Sequence, residues 1–278
     1  MCIRDRVQTI LGDSFHPGGI ELTKRLINSL NIRKGDRVLD VACGMGTTTL
    51  LVDEQFESRV TGVDFSEHNI QRAQEIASSK NASVDFKIGD AANLPMDDAS
   101  VDHLICECAV STFADQPLAV GDFYRVLKSG GNLAISDMVL NGKLPSKMET
   151  LLAPWTCLAS AKSAAGYQQL LLDAGFVVTS YSDESQSLLD LVLDLKKKLL
   201  VAGLGKTLAT ADGVPDVLAS LDIAELKTLL DEAKQLVSDG VVQYCRMTFA
   251  KDRPRTSERP KLAIAATNNE QCGPGCDC

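Results

Sequence analysis

The chain has 278 residues, 45% of them hydrophobic, and a formal net charge of −9, which suits one large α/β domain with an added lobe. The acidic balance repels phosphate backbones and argues against a nucleic-acid partner. The sequence has no run of about eighteen apolar residues to mark a membrane span and no signal-peptide pattern, so a cytoplasmic location is expected.

Taken in order, Met1-Cys2-Ile3-Arg4-Asp5-Arg6 resembles the translated end of a sequencing-library adapter, and residues 1–6 are left out of the fold reading. A native disordered terminus is the alternative. His16-Pro17-Gly18-Gly19 reads as a turn, and residues 20–30 read as an amphipathic helix expected at the sheet edge. Next comes Val38-Leu39-Asp40-Val41-Ala42-Cys43-Gly44-Met45-Gly46-Thr47, a strand, a tight glycine turn and the start of a helix running to Phe56. Such a turn presents free N–H groups at a helix N-terminus, close to a ligand. A dinucleotide fingerprint needs a third glycine, and Thr49 stands in its place. Asp40 near the strand end would repel a phosphate but suits a cation. Asp64 ends the next apolar run, residues 60–63, where an acid can accept hydrogen bonds from ribose hydroxyls. S-adenosyl-L-methionine (SAM), with a sulfonium, an amino group and no phosphate, fits this charge pattern.

Ser66 is a plausible N-cap for a helix to about Ser79, and residues 84–88 alternate as a third strand. Residues 89–96 form a loop, residues 101–106 a buried fourth strand, and residues 115–127 a helix. Gly130-Gly131 then turns into a fifth strand, residues 132–137. This β–α alternation predicts a parallel sheet with crossover helices. Further on, residues 144–161 read as a helix broken at Pro154, and Ser163 caps a helix ending at Gly175. Residues 176–180 read as a strand. Helical patterns at 187–201 and 223–236 lie in an insertion, residues 187–240, before a last strand at 241–250. Lys196-Lys197-Lys198 reads as a solvated helix face. The tail, residues 251–278, reads as disordered when unliganded and ends Cys272-Gly273-Pro274-Gly275-Cys276-Asp277-Cys278. The chain has nine cysteines, several in predicted core strands, which suits thiols in a reducing compartment better than a disulfide scaffold.

With these pieces in order, the chain resembles the class I SAM-dependent methyltransferases over roughly residues 34–250. The carriers are residues 38–46, Val63-Asp64-Phe65, Gly89-Asp90-Ala91 with Leu94-Pro95, and Tyr124-Arg125-Val126-Leu127-Lys128-Ser129-Gly130-Gly131. The resemblance implies a Rossmann-like, doubly wound, mostly parallel seven-stranded sheet with the last strand antiparallel, in a methyltransferase domain spanning 7–250. It implies that Asp40, Gly44 and Gly46 hold the methionine end of SAM and that Asp64 binds the ribose. Phe65 would lie beside the adenine, Asp90 would accept from its amino group with Ala91 adjacent, and the backbone at Cys106 would touch the cofactor. Ala42 departs from the commonest pattern, which has glycine; the small size difference predicts tolerance.

The resemblance narrows at two places. Cys106-Glu107-Cys108-Ala109-Val110 is similar to the Asn-Cys-Val segment of arsenite methyltransferases, and Trp155-Thr156-Cys157-Leu158-Ala159-Ser160-Ala161 to their Trp-Gly-Glu-Cys segment. This puts Cys108 and Cys157 on metalloid-binding positions. Glu107 departs from the asparagine. The family's N-terminal cysteine motif is not found before the first strand: it is either truncated away or replaced by the tail cysteines, which makes Cys272, Cys276 and Cys278 candidate thiol ligands. Thiolate-bound trivalent arsenic keeps a lone pair that needs no general base, and a thiol reductant such as glutathione is an expected partner. Cys43, Cys106 and Cys245 read as structural thiols. Two rivals stay open. One is an O-, N- or C-methyltransferase of a small organic substrate, with Glu107 as base. The other is a non-catalytic SAM- or metalloid-binding protein.

Overall fold

The computed structural model describes residues 16–151, 157–201 and 223–251. The adapter-like residues 1–6, Pro154, the Trp155-Thr156 pair and the tail cysteines Cys272, Cys276 and Cys278 lie outside the described residues.

Helix α1 (Gly19–Asn28) precedes β1 (Arg37–Val41), α2 (Thr47–Phe56), β2 (Arg59–Asp64), α3 (Glu67–Lys80) and β3 (Asp85–Ile88). Then come β4 (Val101–Glu107), α4 (Gln116–Val126) and β5 (Leu127–Leu140). The second half holds α5 (Ser146–Leu151), α6 (Ala164–Asp173), β6 (Phe176–Asp183), α7 (Ser185–Val201), α8 (Ile223–Ser238) and β7 (Val242–Lys251). Local chemistry sets several starts. Ser66, Asp115 and Ser163 each accept a hydrogen bond from a first-turn N–H at the heads of α3, α4 and α6.

The seven strands form one sheet in the order β3-β2-β1-β4-β5-β7-β6. The pairs among β1 to β5 are parallel, and β7 lies antiparallel to both β5 and β6. This is the expected fold: Rossmann-like, doubly wound and seven-stranded, with a helical insertion (α7 and α8) before the last strand. The strand order reverses between β1 and β4, which are in register with Asp40 opposite Ile105. An open sheet binds its ligands at the carboxyl ends on either side of such a switch point. The turn after β1 and the segment after β4 both lie there.

Several expectations change. Helix α1 packs on the sheet face rather than at its edge: Leu26 and Ile27 join Val38, Ile105 and Ala134 in one buried cluster. Its apolar stripe buries more surface over the central strands than an edge could offer. Gly130 and Gly131 lie within the continuous β5, at a register shift between Val101 and His103, so the expected turn is a bulge. Among the described residues of the predicted helix at 144–161, α5 is helical and Leu158 to Ala161 close a turn, with Ala161 N–H donating to the Leu158 carbonyl at 3.2 Å. Leu140 N–H then donates to the Lys162 carbonyl at 3.0 Å, which ties this turn to the end of β5.

The insertion helices pair with each other, and Lys196 forms an ion pair with Asp231 of α8, so this first lysine of the run is not simply solvated. Among the described residues, no helix is long and apolar enough to cross a membrane.

Candidate active site

The turn after β1 has a left-handed backbone at Ala42, Gly44 and Gly46, with φ of +59°, +56° and +81°. At Gly46 a Cβ would sit 2.5 Å from the Phe86 ring, so only glycine lets α2 close on the sheet. At Gly44 a Cβ would meet nothing within 4 Å, and the backbone there is open to a ligand. Ala42 pays for its conformation rather than its size: a left-handed alanine costs roughly 1–2 kcal/mol. We expect Ala42→Gly to raise stability by up to about 1 kcal/mol, because the greater freedom of glycine in the unfolded chain offsets part of the gain. A melting temperature lowered by the substitution would contradict this.

Asp64 ends β2 beside the turn. One carboxylate oxygen accepts from Gly44 N–H at 2.9 Å; the other accepts from Ser66 N–H at 2.9 Å and Asn69 Nδ2 at 3.2 Å. Phe65 follows it, 80% exposed, and Ile88, opposite Asp64 on β3, is 52% exposed. Two large apolar side chains left in water at adjacent strand ends offer flat walls for an aromatic ring. Asp90 is exposed and accepts from Ala92 N–H at 2.9 Å, while Ala91 is buried behind it. Cys106 is fully buried in the main core cluster.

Asp40 is 2% exposed and sits under the turn, accepting from Thr49 Oγ1 at 2.7 Å. Burial, and then the nearby Glu107 and Asp64 carboxylates, push its carboxyl up to about 7. Three acids therefore crowd the end of β1, an arrangement that favours a cation.

Glu107 closes β4. Its carboxylate accepts from Thr48 Oγ1 of α2 at 2.7 Å and from Thr23 Oγ1 of α1 at 3.2 Å, with His16 Nε2 at 3.8 Å. It thereby joins α1 to the head of α2.

Cys108 comes next, with φ of +50°. This left-handed residue breaks the strand alternation and sets Cys108 against the cluster of Met138, Cys157 and Tyr244. Its Sγ is 3.1 Å from that of Cys157, and the Cys157 thiol reaches the Cys108 carbonyl at 3.2 Å. A disulfide bond is about 2.05 Å, so these are two thiols in contact.

Asp137 of β5 lies beside them, fully buried. It accepts from Ser111 N–H at 2.9 Å, Ser111 Oγ at 2.7 Å and Met138 N–H at 2.7 Å. One ligand atom from each of Cys108, Cys157 and Asp137 lies within 4.8 Å of the others. Sequence reasoning missed Asp137, Thr23 and Thr48. An acid at the carboxyl end of the fifth strand was the available signal for the first; nothing local marks the threonines.

A doubly wound sheet with an open glycine turn, an acid at the second strand end and exposed apolar walls has the features that a nucleoside cofactor of the SAM type would require. The family described as methyltransferase domain matches residues 32–193, and the chain belongs to the SAM-dependent methyltransferases. Phosphoethanolamine N-methyltransferase 1 of Arabidopsis thaliana is 30% identical over 197 residues, covering 70% of this chain and 39% of the relative. Arsenite methyltransferase of Halobacterium salinarum is 31% identical over 157 residues, covering 55% of this chain and 40% of the relative. The chain thus spans about two-fifths of the length of each. The structure of Haemonchus contortus phosphoethanolamine N-methyltransferase 2, in complex with phosphomonomethylethanolamine and S-adenosylhomocysteine, has a TM-score of 0.72 at 17% identity. That alignment covers 91% of this chain and 61% of the other, and it shows the shared fold.

The residues present fit SAM: Gly44 leaves room, Phe65 and Ile88 supply apolar surface, and the acids suit a cation. Asp64→Ala is expected to weaken SAM binding roughly ten- to hundredfold, since hydrogen bonds to a charged group contribute about 1.5–3 kcal/mol. Calorimetry on the folded variant checks this, and an unchanged affinity would remove Asp64 from the cofactor site.

Proposed function

We propose that this chain methylates a thiol-bound trivalent metalloid such as arsenite, held by Cys108 and Cys157. The observation that carries this reading is the 3.1 Å approach of the two sulfurs, from separate segments, at the carboxyl end of β4. Two thiols can displace two hydroxyls of arsenite as water, leaving sulfur–arsenic bonds and a lone pair on arsenic. Sulfur suits this soft centre. SAM supplies a methyl already activated on a cationic sulfur. The protein's task is then to hold the acceptor in line and exclude water, with no proton to remove. A thiol reductant such as glutathione returns the methylated arsenic to the trivalent state. The tail cysteines Cys272, Cys276 and Cys278 are proposed as further thiol donors, and the cytoplasm as the location.

The test is methyl transfer from labelled SAM to arsenite with glutathione, against a panel of small acceptors that includes phosphoethanolamine. Labelled methylarsenic species support the proposal. Label appearing only on organic acceptors, or no turnover at all, overturns it.

One observation favours a second reading, N- or O-methylation of an organic acceptor: the buried Glu107 carboxylate, bound by Thr48 and Thr23. A carboxylate there can orient an amine or take a proton. Glu107→Gln separates the two readings, because glutamine keeps the size and can still accept from both threonines. We expect arsenite methylation to stay within about threefold of wild type, whereas loss of a general base lowers a rate by about 10²–10⁴-fold. A loss of the larger size in methylation of an organic acceptor would support the second reading.

A further inference from the structure

We propose that Cys108, Cys157 and Asp137 form a binding site for a thiophilic divalent cation of the zinc class. Among the described residues this is the one group of three or more potential metal ligands whose donor atoms lie within 4.8 Å of one another. Two thiolates and a carboxylate are a normal zinc donor set, with bonds of about 2.3 Å to sulfur and 2.0–2.2 Å to oxygen. Around a tetrahedral ion of that size two sulfurs stand about 3.7 Å apart. The pair here starts at 3.1 Å, so opening by about 0.6 Å admits the ion.

The carboxylate is already aimed and held. Ser111, through its N–H and hydroxyl, and the Met138 N–H fix Asp137, as outer hydrogen bonds do for metal-ligating carboxylates. Asp137 is fully buried and Cys157 is 7% exposed. Three anions in so dry a place would be costly alone; a divalent cation offsets that cost, and the two thiols release their protons as it binds. The other buried thiols, Cys106 and Cys245, are not part of this group of donor atoms. The left-handed Cys108 is the strained residue that brings the first sulfur round to the second.

Three protein ligands leave the fourth position of a tetrahedral ion for a water or an added thiol. The site shares its two thiols with the proposed acceptor site, and the cation would compete with a metalloid for them. It depends on the placement of the three side chains and not on arsenite being the acceptor. The two also differ in what they require: a divalent cation uses the carboxylate, whereas arsenite needs only the thiols.

Cobalt(II) is the probe, because its visible bands report tetrahedral geometry and its near-ultraviolet bands report thiolate ligation. The full chain carries Cys272→Ser, Cys276→Ser and Cys278→Ser, so that the tail thiols cannot contribute. We expect one Co²⁺ per chain with a tetrahedral thiolate spectrum, displaced by Zn²⁺. Adding Asp137→Asn or Cys157→Ser should weaken binding at least tenfold. The absence of a thiolate band, or binding unaltered by Asp137→Asn, overturns the site.

Asp137→Asn disturbs a buried hydrogen-bonded group, so a second measurement uses the unsubstituted chain. Zn²⁺ should slow maleimide alkylation of Cys108 and Cys157, mapped by mass spectrometry, at least tenfold. Equal rates with and without Zn²⁺ also overturn the proposal. Neither measurement involves methyl transfer, so a failure here is distinct from a failure of the arsenite reading.

Discussion

Cys108→Ser and Cys157→Ser should each reduce arsenite methylation to below about one-thousandth of the wild-type rate, a loss of more than about 4 kcal/mol in the barrier. Serine keeps the size of cysteine but offers a hard, poorly ionised oxygen to a soft centre. With one sulfur gone, the metalloid loses one of its two anchors and its alignment with the methyl donor together. SAM affinity should stay within about twofold, because neither side chain belongs to the turn after β1 or to the strand ends that carry Phe65 and Ile88. Activity with labelled SAM and calorimetry on the same preparations separate the two effects. If both single variants methylate arsenite at the wild-type rate, the sulfur pair at 3.1 Å is a packing feature, and the organic-acceptor reading with Glu107 takes its place.

The second large effect is a pH dependence of stability set by Asp40. Its folded-state carboxyl lies at about 7, raised from 3.8, with burial as the leading cause. The folded protein therefore holds this proton over a range in which the unfolded chain has released it. Stability falls as pH rises from about 4 to about 7, and the loss is complete above the folded value. A shift of this size corresponds to about 4 kcal/mol at most.

His103 acts in the opposite sense. Burial lowers it, with the Asp36 carboxylate only partly opposing, so its contribution is lost as pH falls. Asp40→Asn keeps an acceptor for the Thr49 hydroxyl and removes the titration, while His103 stays the same in both proteins. The difference in stability between variant and wild type should grow from near zero at pH 4 to its maximum above pH 7, read from denaturant melts. A difference independent of pH would show that Asp40 stays ionised throughout. A bound SAM cation lies near this acid in the proposed site, and it should reduce the wild-type slope.

Most of the frame was legible in the sequence, because strand period, helix caps and glycine turns act over a few residues. Ser66, Asp115 and Ser163 mark helix starts by bonding to N–H groups within the next turn. Asp40 and Asp64 at the ends of the first two strands, and the glycines between them, are the equally local pattern behind the expectation of a cofactor there. Ala42 shows the limit of judging by size: its φ of +59°, not its volume, is why glycine suits that place.

Only the tertiary structure decided what meets at the rim. Cys108 and Cys157 are 49 residues apart, and their sulfurs come together because Leu140 and Lys162 tie the second segment to the end of β5. Glu107 finds Thr23 across 84 positions and Thr48 across 59. Asp137 becomes their neighbour because β5 pairs with β4. Side chains from distant segments share a site only when sheet order and register place their strand ends side by side, and no local pattern encodes that placement.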